Sequence, residues 1–116
     1  MYNSELEKSK AHSLIEIIEY VPNSVVTKTI LRKTTGKVSV IAVDFGEAIM
    51  EKISPFDNFI QIIEGTAEIV IDKKSNILKR GEGIIIPAHI SNNIKAKERF
   101  KMISTIIKSG YETLSV

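Results

Sequence analysis

Cysteine and tryptophan are both absent from the 116 residues. Without cysteine there can be no disulfide, no thiolate nucleophile and no zinc–thiolate site. Prolines number three, glycines six, and aromatic residues make up only 6% of the chain, so the core has to be assembled from aliphatic side chains. No apolar run approaches the roughly 20 residues that span a bilayer. The opening segment, MYNSELEKSKAH, is polar and mixed in charge, unlike a secretory signal. An excess of one charge sign is missing too, since sixteen basic residues face fourteen acidic ones for a formal net charge of +2. The basic pairs Arg32-Lys33, Lys73-Lys74 and Lys79-Arg80 are dispersed, without the concentrated basic face that nucleic-acid binding needs. What remains is an intracellular, cytoplasmic protein with neither nucleic acid nor a membrane among its expected partners.

The apolar fraction of 43% and charged fraction of 26% are those of a globular domain, and this length suits a single core. Isoleucine dominates the apolar set, and branched side chains favour a pleated surface. Residues 1–24 read as an N-terminal arm or short helix. Within it Ser13, followed three residues later by Glu16, has the pattern of a capping box ahead of one helical turn over Leu14–Tyr20. Residues 25–116 read as one barrel domain. Its expected strands are Val25–Leu31, Lys37–Phe45, Ala48–Ser54, Asn58–Ile63, Thr66–Asp72, Ile77–Lys79, Ile84–Pro87, Asn92–Ala96 and Phe100–Lys108. Many short strands separated by glycine or proline turns indicate an all-β antiparallel barrel or sandwich.

Two stretches stand out, Asp44 to Gly65 (DFGEAIMEKISPFDNFIQIIEG) and Gly81 to Asn92 (GEGIIIPAHISN). Gly46, Gly65 and Gly81 fall at strand reversals where a positive φ is expected, and Pro87 falls at a strand end, where no ladder donor is required. Between them these residues resemble the double motif of the cupin superfamily, and the resemblance covers about Val38 to Ile107. It implies a cupin-type jelly-roll β-barrel with a short N-terminal helix or arm, and a homodimer. Apolar residues on both faces of several strands support pairing independently, because two-sided apolar strands must be covered by something other than water.

The positions at which the superfamily carries metal ligands fall here on Lys52, Ser54, Asn58 and Asn92. A lysine ammonium has no lone pair to give, and serine and asparagine are weak neutral donors compared with imidazole and carboxylate. No metal and no other cofactor is therefore expected. Alternation places Met50, Lys52, Ser54, Asn58, Ile60, Ile62, Ala67, Ile69, Ile71, Asn92, Ile94, Ala96, Phe100, Met102 and Ser104 inward. This describes an apolar barrel with a polar cluster at one end. Three readings follow. The cluster is an inert part of a structural module, or it binds a small polar or anionic molecule through Lys52, Ser54, Asn58 and Asn92, with Phe56 and His89 at the rim and Met102 in the wall. The third reading is a metal-independent isomerase, epimerase or lyase in which a desolvated Lys52 acts as base and His89 as the second acid/base group.

Overall fold

The computed structural model describes residues 5–50 and 53–108. Nine strands run in the order β1 Val25–Lys33, β2 Gly36–Val43, β3 Ala48–Met50, β4 Asp57–Glu64, β5 Thr66–Ile71, β6 Lys74–Lys79, β7 Gly83–Ile86, β8 Asn92–Ala96 and β9 Phe100–Ile107. They form a five-stranded sheet, β1-β2-β9-β4-β7, and a four-stranded sheet, β3-β8-β5-β6. Every pairing is antiparallel. The all-β barrel expected from the sequence is the fold observed.

Residues directly opposite across a pair share a face, so the register defines the inner layer. Val43 lies against Phe100, Ile41 against Met102 and Ser39 against Ser104. Across β9, Met102 meets Ile62 and Ser104 meets Ile60. The other sheet contributes Ala67, Ile69, Ile94 and Ala96, and all of these join one buried cluster. The expected inward parity of β4, β5, β8 and β9 therefore holds. Gly46, Gly65 and Gly81 take φ values of 83°, 78° and 90°, as their places at strand reversals require.

Three expectations are corrected. Met50 is 74% exposed, and Ile49 is the residue of β3 that packs on the core. Ile49 pairs with the buried Ile94, and a one-residue slip would turn that whole face outward. The β5–β6 turn consists of Asp72 and Lys73, with φ of 50° and 69°. Strand β6 therefore begins at Lys74 rather than Ile77, because a two-residue turn of this hand lets pairing resume at once. The segment expected to be helical over Leu14–Tyr20 makes a single turn, in which the amides of Glu16 and Ile17 both donate to the Ser13 carbonyl at 3.0 and 3.1 Å. No described residue is helical. Ile15, Ile17 and Ile18 are poor propagators of a helix, and docking on the sheet supersedes local propensity. No described helix is long and apolar enough to cross a membrane.

The N-terminal segment closes part of the outer face of the five-stranded sheet. Ile18 is buried with Val40 and Ala42, flanked by Ile17, Tyr20, Val26, Ile30 and Ile63. A polar clamp fastens it. The Tyr20 hydroxyl donates to Glu64 Oε1 at 2.7 Å, and Lys101 Nζ lies 3.5 Å from the same oxygen. Lys101 Nζ also donates to the Ile15 carbonyl and sits 5.0 Å from the Tyr20 ring centroid. Lys101 is itself buried, and a buried ammonium is tolerable only when paired in this way. Burial, reinforced by the Glu64 carboxylate, pushes the Tyr20 phenol well above its ordinary range. The hydroxyl thus stays protonated and donating across the neutral and mildly alkaline range. Its contribution to stability is full below the ordinary phenol pKa of about 10 and is lost as the folded-state phenol ionises at higher pH.

Candidate functional site

At one end of the barrel, where β2 begins and β9 ends, the two sheets part around a partly enclosed cavity of about 250 Å³. Its walls follow from the register. Lys37 pairs with Ile106, Ile106 with Asn58, and Asn58 with Ile86. This rung is the last before the mouth. One rung deeper lie Ser39 and Ser104, and below them the core is wholly apolar. Asn92, at the start of β8, faces them from the other sheet, and Ser54, Phe56 and Pro87 enter from the connections.

The hydrogen bonds within this cluster are incomplete. Ser104 Oγ donates to Asn58 Oδ1 at 2.7 Å, and the Phe56 amide donates to Ser54 Oγ at 3.1 Å. Asn92 Nδ2 donates to the Ile90 carbonyl at 3.3 Å, an acceptor that fixes which way the amide points. Asn92 Oδ1 is left buried with no partner among the described residues. Ser39, only 2% exposed, has a buried hydroxyl that is also without a partner among the described residues. Both residues line the cavity. An orphaned buried polar atom costs about 1–3 kcal/mol relative to a satisfied one, and most native examples are resolved by water or a ligand.

Of the residues expected from the sequence, Ser54, Phe56, Asn58 and Asn92 meet at this cavity. Lys52 lies outside the described residues. Met102 belongs to the buried apolar cluster, below the cavity and not in its lining. His89 is exposed and does not line the cavity. It takes a left-handed φ of 67°, and its amide donates to the Ser54 carbonyl at 2.7 Å. Its backbone thereby ties the loop after β7 to the loop before β4. Asp57 pairs across from Ile107, on the outer parity, and its carboxylate accepts from the Ala88 amide at 2.8 Å.

Three polar lining residues were not singled out by the sequence, namely Thr27, Lys37 and Ser39. In β2 both alternating sets look buriable, Val38-Val40-Ala42 against Ser39-Ile41-Val43. The signal that selects the second is the partner strand, because Ser39 falls opposite Ser104 and Val43 opposite Phe100.

The fold raises the question of a divalent metal, and the donors present do not fit one. Ser54, Asn58 and Asn92 supply neutral oxygens, and the charged group in the lining is the Lys37 ammonium. Among the described residues no three histidine, cysteine or acidic side chains gather at any point. Among the described lining residues a divalent ion would meet a positive charge and no carboxylate or imidazole.

No family profile matches the chain, and no curated protein does. Solved structures match it over most of its length. A protein of unknown function from Streptococcus pyogenes is 27% identical, with a TM-score of 0.85 over 93% of this chain and 95% of that one. A cupin superfamily protein from Desulfitobacterium hafniense is 24% identical, with a TM-score of 0.82 over 90% and 95%. A Cupin 2 conserved barrel domain protein from Leptotrichia buccalis is 27% identical, with a TM-score of 0.78. There the match takes in 81% of this chain and spans 46% of the other. With its two antiparallel sheets, its glycine-marked double motif and these structural relatives, the chain is a member of the cupin superfamily.

Proposed function

We propose that this protein is a metal-independent binding module that takes a small polar or anionic molecule into the open end of its barrel. One observation carries the reading: the orphaned Ser39 hydroxyl and Asn92 carbonyl are both buried and both line the same cavity. A core packed solid would leave no such space beside them; Asn93 Oδ1 is likewise unpartnered among the described residues but does not line the cavity. The cavity is slightly smaller than the about 300 Å³ at which ordinary ligand pockets begin, so the ligand is a small one. With His89 outside the cavity, the acid/base alternative of Lys52 and His89 has no comparable support.

The test is a thermal-shift and calorimetric screen of small polar and anionic solutes, repeated on Ser39→Ala. The variant removes a hydroxyl that no described residue satisfies, so the free protein should hold its stability or gain about 1 kcal/mol. Its affinity for a solute that binds the parent protein should fall about fivefold, the worth of one neutral hydrogen bond. A screen that stabilises neither protein would return the barrel to a purely structural role.

The proposed module is a homodimer. The N-terminal segment leaves uncovered a row across the outer face of the five-stranded sheet, running Leu31, Val38, Thr105, Phe59 and Ile85. Phe59 and Ile85 are exposed there, with Ile107 beside them. The row carries no charge. In a two-fold contact a patch meets itself, which an uncharged apolar surface tolerates and a singly charged one does not. Light scattering at micromolar concentration should give twice the 12.9 kDa chain mass, and Phe59→Lys should give a folded monomer. A parent protein that is monomeric at that concentration would end the proposal.

A further inference from the structure

We infer that the ligand is a small hydroxycarboxylate, its carboxylate held at Lys37 and its hydroxyl donating to Asn92 Oδ1. This inference rests on the binding reading above and narrows it to a chemical class.

The cavity's unsatisfied groups are of two kinds. Asn92 Oδ1 can only accept, and the bond from Asn92 Nδ2 to the Ile90 carbonyl fixes its orientation. Apart from water, a solute satisfies it only by donating, through O–H or N–H. Lys37 can only donate and carries a full charge. Ser39 can donate or accept, and its orphaned hydroxyl lies one register step deeper on the same strand, two residues along and on the same face. A ligand matched to all three needs an acceptor-rich anionic end and a donor at the other end. A neutral polyol leaves the lysine unanswered, and a simple carboxylate leaves the asparagine unanswered.

Charge outside the cavity points the same way. Lys37 is shared with an adjoining depression lined also by Arg32, Lys33 and Lys108. Arg32 pairs directly with Lys37 across β1 and β2, and the Lys108 ammonium sits 5.9 Å from the ring of Phe56, a cavity residue. Four cations at one mouth raise the local concentration of anions and speed their entry. Size sets the upper limit. At about 30 Å³ per water molecule, the cavity of about 250 Å³ holds about eight waters, or an organic solute with a similar number of non-hydrogen atoms.

Three matched four-carbon probes separate the possibilities by calorimetry on the full chain: erythronate, butyrate and erythritol. Erythronate is expected to bind most tightly, with butyrate weaker by about fivefold for want of the hydroxyl. Lys37→Met should weaken erythronate about tenfold or more, as loss of a charge-assisted hydrogen bond does, and leave erythritol unchanged. On the parent protein, raising salt from 20 to 300 mM should weaken erythronate and not erythritol, a measurement that does not depend on the variant folding. Erythritol binding as tightly as erythronate, or erythronate indifferent to both Lys37→Met and salt, would overturn the hydroxycarboxylate while leaving the cavity a binding site. If none of the three binds, the hydroxycarboxylate is refuted, and a negative broad screen alongside it would refute the binding reading as well.

Discussion

Alanine at position 65 is expected to destabilise the fold by about 3 kcal/mol or more, a sizeable part of the 5–15 kcal/mol typical of a domain. Gly65 links β4 to β5 with φ at 78°, where a side chain costs about 1–2 kcal/mol. The added Cβ would also lie 2.2 Å from the Arg99 carbonyl oxygen and 2.9 Å from Phe100 Cα and Cβ. These are atoms of the strand entering the core, and no flexible side chain can move aside. Forced overpacking of that kind adds about 1–3 kcal/mol. Gly46 is the internal control. Its φ is 83°, yet nothing lies within 4 Å of its hypothetical Cβ, so Gly46→Ala should show the backbone penalty alone. Urea denaturation of the two variants separates the terms. Equal losses at 46 and 65 would mean that the approach of Phe100 to Gly65 carries no energy.

Phe100→Ala should be the most damaging truncation, by about 3–5 kcal/mol. Phe100 is fully buried and heads the set of large buried side chains. It opens β9 opposite Val43 and belongs to the cluster that joins the two sheets. Removing the ring withdraws its own transfer energy and leaves a void whose walls are held by two rigid sheets, so collapse can recover little. Chemical denaturation should show a lower midpoint with an unchanged slope. A loss under 1 kcal/mol would mean that the neighbouring isoleucines and Met102 move in to fill the space.

Much of this architecture was legible because one-sided alternation has a single solution. Ile60 and Ile62, Ile69, Ile94 and Met102 all fall inward as their spacing dictates, and each of the three motif glycines takes the positive φ its position demands. The failures have physical causes. In β3 both Ile49 and Met50 are apolar, so three residues of strand hold no parity information, and pairing with Ile94 decides between them. The Asp72-Lys73 turn takes two positive φ values without glycine, and so lacked the residue that marks such turns. The turn at Ser13 had a capping pattern, but tertiary docking of Ile18 on Val40 and Ala42 determined its course. At the cavity, the family motif led to Ser54, Asn58 and Asn92. It was silent on Lys37 and Ser39, which lie before the motif and reach the site only through pairing of β2 with β9.

The strand order has a consequence for how the protein is made. β9 is the last of the described strands, yet it occupies the centre of the five-stranded sheet, with β2 on one side and β4 on the other. Chains emerge from the ribosome at about 5–20 residues per second, and until residue 107 has emerged the β1-β2 hairpin and the β4-β7 pair have no strand to join them. Until then the apolar inner faces of both strand pairs and their unpaired edges stand open, the state in which nascent β-proteins are most prone to associate with the wrong partner. The same strand brings Lys101 to the carbonyl of Ile15, 86 residues earlier. Securing the segment around Ile15 therefore also waits for β9.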